Sequence, residues 1–284
     1  MTDFTAPVSV VIPCYLCEDT IERAVLSVLR QTMLPREILL VDDASPDEGA
    51  TVRELKRLAS QYGNLLSIKV IKSLENGGPG SARNRGWEIA CQPYVAFLDS
   101  DDIWFPQKIE CQYIWMLNHS EYVLTCHQHT LLKGRGDSIE GRLDISNVHY
   151  DKVFEERLLY FNFIATRTVM LRRHQPHKFM EGKRYSEDYL LWLNIVLSGG
   201  RAAKLEPTLA AAFKPDFGVS GLSSRLIKME IGELDCYFKL YRAKTIGFIK
   251  FLGVIGFSLI KFSRRVLLKL GWKLFKPGGT GKFH

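Results

Sequence analysis

The last 49 residues contain no acid. No aspartate or glutamate follows Asp235, whereas eleven lysines and arginines lie between Lys239 and Lys282. The first 235 residues then carry 27 basic side chains against 31 acidic ones, so the net charge of +7 belongs to the tail. A sequence pI near 9.0 is therefore no sign of a nucleic-acid-binding body. The tail also alternates its cations with aliphatic residues and has no base-reading motif, and no nucleic-acid partner is expected. Long apolar runs are lacking too. The uncharged stretch Phe251 to Ile260 is ten residues long, and Lys250 limits any extension to fifteen with one charge. That is short of the roughly twenty a spanning helix requires. Met1 to Pro7 is polar and the apolar run behind it is only a strand long, so no secretory signal is expected. Cysteines are few, at 14, 17, 91, 111, 126 and 236. Cys14-x-x-Cys17 has no second pair, which argues against zinc, and the thiols read as reduced residues of a cytosolic protein. Without a secretory signal the sequon Asn118-His119-Ser120 carries no meaning. Neither a Gly-x-x-x-x-Gly-Lys-Ser/Thr loop nor a Gly-x-Gly-x-x-Gly turn after a strand is present.

What is present is the composition of an ordinary globular protein, 46% hydrophobic and 24% charged over 284 residues. That length allows one large domain or a domain with an appendage. Val8 to Ile12, ending at Pro13, predicts a buried parallel strand. Ile21, Ala24, Val25, Val28 and Leu29 recur at helical spacing behind a cap at Asp19 or Thr20. Glu37 to Val41 predicts a second strand, Val52 to Ala59 a helix face, and Leu66 to Ile71 a third strand. After the break Asn76-Gly77-Gly78-Pro79-Gly80, Ser81 to Cys91 reads as a helix and Tyr94 to Leu98 as a fourth strand. Repeated strand–helix alternation predicts a doubly wound α/β sheet. Further on, the pattern predicts a helix over Pro106 to Asn118, a strand over Tyr122 to Leu132, a hairpin-type turn from Gly134 to Gly141, a short helix over Val153 to Phe161 and a strand over Thr166 to Leu171. A helix from Tyr185 to Leu197 stops at Gly199-Gly200. His127 and His129 share a strand face without a third ligand, so hydrogen-bonded histidines are favoured over zinc.

The chemistry concentrates at strand ends. Asp99, Asp101 and Asp102 follow the fourth strand, and carboxylates this close repel unless a cation sits among them. Oxygen ligands favour magnesium or manganese, whose open positions take phosphate oxygens. One bland reading makes Asp101 or Asp102 the cap of the next helix, which accounts for one or two of the three acids. Asp42 and Asp43 close the second strand. The glycine-rich turn, with Arg83 nearby, lets backbone amides approach an anion at a helix start. Glu187 and Asp188 lie in the first turn of their helix behind Ser186 as a cap. The helix dipole favours acids there, and a carboxylate at that position also suits a general base.

Taken together, these residues resemble the family 2 glycosyltransferases of the GT-A fold. The resemblance rests on Val10-Val11-Ile12-Pro13-Cys14-Tyr15, Gln31-Thr32, Val41-Asp42-Asp43-Ala44-Ser45-Pro46-Asp47, Asn76-Gly77-Gly78 with Arg83-Asn84-Arg85-Gly86, Phe97-Leu98-Asp99-Ser100-Asp101-Asp102, and Glu187-Asp188-Tyr189-Leu190-Leu191-Trp192. They run in the family's order from about Val8 to Gly200. Cys17 and its neighbours replace the common Asn after Tyr15, and Ala44 stands where the family often has Gly. The resemblance implies a GT-A type, Rossmann-like mixed sheet flanked by helices over residues 1–215, with a nucleotide-sugar half to about 105 and an acceptor half from about 106. It also implies roles. Pro13, Tyr15 and Asp43 would line the base and ribose pocket of a nucleotide-sugar, a UDP-sugar in the first instance, and Arg83 would sit beside ribose or diphosphate. Asp99 and Ser100 would face the ribose and metal shell, with Asp101 the direct ligand of a divalent manganese or magnesium. Asp188 would be the catalytic base, with Glu187 and Trp192 supporting the acceptor side. Such an enzyme is inverting and moves a sugar to a hydroxyl of a glycan or lipid-linked acceptor in surface-polysaccharide synthesis. A sugar nucleotidyltransferase and a non-catalytic, membrane-bound sugar-binding subunit are the alternatives. The first usually carries a glycine-rich basic loop after its first strand, unlike Pro13-Cys14-Tyr15-Leu16, and the second is favoured by a missing carboxylate, of which there is none.

Residues 216–284 read as a helical extension. Leu222 to Ala243 predicts an amphipathic helix closing over the body. Within about 246–276, Lys261, Arg264, Arg265, Lys269, Lys273 and Lys276 fall on one half of a helical wheel, opposite Val266, Leu267, Leu270 and Leu274. With Trp272 this suits an anchor on anionic lipid, peripheral on the cytoplasmic face of the membrane, with a helix packed on the core as the plainer reading.

Overall fold

The computed structural model describes residues 5–132, 144–213 and 226–274. The expected turn from Gly134 to Gly141 lies outside them, as does Lys276. Four strands, β1 (Thr5–Cys14), β2 (Leu34–Asp42), β3 (Ser67–Lys72) and β4 (Tyr94–Phe97), alternate with helices α1 (Ile21–Leu29), α2 (Ala50–Tyr62) and α3 (Pro79–Ile89). They form the parallel half of a sheet that has nine strands among the described residues, in the order β3-β2-β1-β4. Alternate β1 residues face opposite layers. Val11 joins Leu39, Trp87 and Phe97 on one face, and Val10 and Ile12 join Ile21, Val25 and Leu55 on the other. This double burial is why β1, β2 and β4 read as near-continuous apolar runs, whereas β3, at the end of the strand order, has no buried residue.

Beyond β4 the sheet becomes mixed. It continues through β8 (Met170–Arg172), β6 (Tyr122–Leu131), β9 (Arg201–Ala212) and β5 (Ile103–Trp104), with β7 (Tyr150–Lys152) also on β9. α4 (Lys108–Asn118), α5 (Glu155–Tyr160) and α6 (Glu187–Leu197) cover this half. β9 carries no strand pattern in the sequence: it is rich in alanine, and Pro207 interrupts it. Pro207 falls where the pairing with β6 slips, between Leu205 opposite His127 and Thr208 opposite Gln128. At such a break the missing N–H costs no ladder bond.

Three local expectations change. The helix expected from Pro106 begins at Lys108, with Gln107 at its cap position, so neither Asp101 nor Asp102 caps it. Ser186 does stand at the cap position of α6, but in a left-handed conformation (φ 55°) with no side-chain capping bond. The strand expected over Thr166 to Leu171 opens as a 3-10 turn, Thr166–Thr168, before β8.

The chain ends in a helical hairpin, α7 (Leu226–Arg242) and α8 (Phe248–Leu274), with α8 side chains described as far as Leu268. Cys236, Tyr237, Leu240, Ile246, Phe251 and Val254 join Leu158 and Trp192 in one core. The extension is thus rooted in the body. Beyond Val254, α8 also turns two cations inward. Lys261 pairs with Glu233 and Arg265 with Glu230, both at 2.8 Å, so these two cations point to α7. Ile249, Leu252, Leu259, Ile260, Leu267 and Leu268 are exposed. No helix of the described residues is long and apolar enough to cross a membrane.

Candidate active site

Parallel pairing brings the first three acidic or polar strand ends to one edge. Cys14 lies opposite Asp42, Asp43 N–H donates to Cys14 O (2.8 Å), and Leu98 N–H donates to Val11 O (3.1 Å). Pro13 and Tyr15, Asp43, and the acids after Phe97 therefore share the C-terminal edge of the sheet, where open α/β folds bind ligands. Tyr15 is half-exposed, and the chain beside it is held by Leu16 N–H to Ser45 Oγ (3.1 Å). Asp43 is buried. Its carboxylate accepts the Gly77 and Gly78 amides at 3.0 and 2.7 Å, with Arg85 at 3.8 Å. Burial raises its pKa despite these amides and the nearby Arg85 and Arg184. Gly78 has φ 85°, a backbone region that suits glycine, and the turn it makes presents both amides to one carboxylate.

Arg83 joins the two halves. It is 5% exposed and donates from Nη2 to Asp99 Oδ1 at 2.6 Å and from Nη1 to Glu187 Oε1 at 3.0 Å. Burial opposes its charge, but Asp99 and Glu187 outweigh burial and hold its pKa above the ordinary value. Glu187 is 7% exposed, and burial, reinforced by the charge of Asp188, pushes its carboxyl up to about 7 against the pull of Arg83. Asp188 is half-buried and accepts its own helix's Tyr189 N–H at 2.7 Å and the Thr166 hydroxyl at 2.9 Å. Asp99, Ser100 and Asp101 are half-buried, whereas Asp102 is buried and paired with Arg167 at 3.0 Å.

The structure thus assembles Asp99, Arg83, Glu187 and Asp188 from positions 83 to 188. It does not give Trp192 a surface: the indole is fully buried against Phe179, in the core behind α6. Trp192 and Glu187 are both buried and present no open face. Two residues at the site were not legible beforehand. Arg184 reaches back to Asn76, donating to its backbone oxygen at 3.1 Å and to Oδ1 at 2.6 Å, beside Gly78. Its proximity to Glu187 in sequence was the available signal. Thr166 had none. Among the described residues no group of three or more His, Cys, Asp or Glu is arranged to hold a metal by itself. Asp99 and Asp101 nonetheless supply hard oxygen donors, and magnesium or manganese sites commonly take one or two carboxylates and complete the shell with substrate phosphates.

The profile of glycosyl transferase family 2 matches residues 9–173, more than half of the chain. The chain belongs to glycosyl transferase family 2. As a family 2 glycosyltransferase it is 32% identical over 189 residues to the UDP-Glc:alpha-D-GlcNAc-diphosphoundecaprenol beta-1,3-glucosyltransferase WfgD of Escherichia coli, covering 66% of this chain and 69% of that one. Its fold matches GT-A structures. S. aureus TarS 1-349 in complex with UDP-GlcNAc superposes with a TM-score of 0.65 at 20% identity, over 89% of this chain and 71% of that one. The mannosyltransferase PcManGT of Pyrobaculum calidifontis, in complex with GDP-Man and Mn2+, gives 0.60 at 16% identity, over 96% and 82%.

Proposed function

We propose that this glycosyltransferase is inverting and moves a sugar from a nucleotide-sugar, a UDP-sugar first, to a hydroxyl of a lipid-linked or glycan acceptor in surface-polysaccharide assembly. The observation that carries the reading is the Arg83 bridge, which places the acid-bearing end of β4 against the start of α6. Pro13, Tyr15 and Asp43 line the base and ribose side, and Arg83, Asp99 and Ser100 the ribose and diphosphate side. A divalent ion on Asp101 and Asp99 would supply Lewis-acid stabilisation of the leaving diphosphate. Asp188 accepts the proton of the acceptor hydroxyl as that oxygen attacks the anomeric carbon. One base opposite the leaving group means a single displacement, hence inversion.

The relation to WfgD makes UDP-glucose and a GlcNAc-diphospho-lipid the first substrate pair to try. Asp188→Asn should lower UDP release from that pair by about 10²-fold or more, with the UDP-induced thermal shift intact. Retained turnover would remove Asp188 as the base. The catalytic unit is residues 1–215. The extension, 216–284, holds it peripherally on the cytoplasmic face of an anionic membrane, supported by the exposed aliphatic face of α8 and a tail without acids.

A further inference from the structure

Helix α6 begins without a capping side chain, and Ser186 before it holds a left-handed backbone. What fixes the Asp188 carboxylate comes from elsewhere. One oxygen accepts the Tyr189 amide within the helix; the other accepts the hydroxyl of Thr166, 22 residues earlier in the chain. Thr166 is 5% exposed and opens the 3-10 turn Thr166–Thr168. The next residue, Arg167, donates to Asp102 Oδ2 at 3.0 Å, at the far end of the acid cluster. The turn is itself bolted down. Trp104 Nε1 donates to Arg167 O (2.8 Å), Gln112 Nε2 to Thr168 O (3.0 Å), and the Thr168 hydroxyl to Ala165 O (2.7 Å). Two consecutive side chains of one rigid turn therefore hold carboxylates that are 86 residues apart in sequence.

We propose that Thr166 is a positioning residue for glycosyl transfer, its hydroxyl setting the orientation of the Asp188 carboxylate. This rests on the reading of Asp188 as the base. A carboxylate's terminal torsion is broad and settles only when its oxygens are bonded. Proton transfer needs the base within about 2.6–3.2 Å of the acceptor hydroxyl, and a misplacement of about 1 Å costs on the order of 10²-fold in rate. Thr166 does not touch the reacting atoms; it acts through Asp188. Valine has nearly the shape of threonine, so Thr166→Val removes the donor with little change in packing, and the half-buried Asp188 remains within reach of water.

The test uses the full chain with UDP-glucose and a GlcNAc-diphospho-lipid. Thr166→Val should lower kcat by about 10²-fold with the donor KM nearly unchanged, and Thr166→Ser, which keeps the hydroxyl, should recover most of the loss. In an Asp188→Asn background, Thr166→Val should cost nothing further, because the two act as a unit. A crystal structure of Thr166→Val, which needs no substrate, should show the Asp188 carboxylate turned from its present orientation or split between two. The proposal is overturned by an unchanged kcat, by a Ser variant as slow as the Val variant, by an additive loss in the Asn background, or by an Asp188 carboxylate unmoved in the crystal. Failure of the underlying reading looks different: there Asp188→Asn alone keeps its turnover.

Discussion

Glu187 faces Arg83 on one side and the charge of Asp188 on the other, and burial decides its protonation. Its carboxyl is raised from 4.5 to about 7. Between those values the folded protein binds a proton that the unfolded chain has released. The associated stability is fully present below about pH 4.5 and is lost as pH rises to about 7. Glutamine in this position does not titrate. The thermal midpoint of the wild type, measured against Glu187→Gln, should therefore fall steadily from about pH 4.5 to 7 and level off above. A difference that stays flat across that window would show that the carboxyl is not perturbed. Asp99 and Asp101 were visible because carboxylates grouped at a strand end repel unless a cation sits among them, and Asp188 because it lies in the first turn of a helix, where the dipole favours an acid. Thr166 was invisible because a threonine in the run Ala165-Thr166-Arg167-Thr168 matches no motif, and its partner is supplied only by folding.

At the level of elements, two contacts control how the site is carried. α3 brings Arg83 to the acids, and its approach to the sheet depends on Gly86. A Cβ there would run into the Val11 side chain and stand 3.1 Å from Val41 Cγ2. Gly86→Ala should cost about 1–3 kcal/mol in urea unfolding, through overpacking between helix and strand. An unchanged midpoint would mean that α3 can withdraw freely. α8 makes a mixed contact: Phe251 and Val254 are buried, Lys261 and Arg265 are partly buried against α7, and Ile249, Leu252, Ile260 and Leu267 are exposed. Replacing Ile249, Leu252, Ile260 and Leu267 together by serine should leave the thermal midpoint close to wild type, since all four are exposed. Sedimentation with phosphatidylglycerol vesicles should drop by about tenfold or more, each lost side chain forfeiting on the order of 1 kcal/mol at the interface. Equal sedimentation of both proteins would dismiss the lipid-facing role. Deleting everything from Ile246 is a poorer test, because Ile246, Phe251 and Val254 are part of the core. The orientation of α8 was not legible in its wheel: Lys261 and Arg265 turn inward only because Glu233 and Glu230 of α7 are there to receive them.

On the scale of the whole molecule, the parallel half presents one set of loops and the mixed half another, and Arg83 holds them together. A ligand that binds only this assembled state stabilises it by mass action, about 2.7 kcal/mol at a hundred times its dissociation constant. UDP with manganese should raise the thermal midpoint more than UDP alone, and Asp101→Asn should abolish the difference. An equal response with and without the metal would argue against a metal on Asp101. The sequence by itself determined the parallel half and the acids at its edge, because buried parallel strands must be apolar throughout and grouped carboxylates cannot be hidden in a pattern. It could not determine β9, whose alanines and Pro207 fit no period, or the burial of Trp192, or which face α8 shows. Those depend on partners distant along the chain. Folding also decides which side chain accepts a given hydroxyl or guanidinium, and so only the tertiary structure could set Thr166 on Asp188 and Arg83 between Asp99 and Glu187.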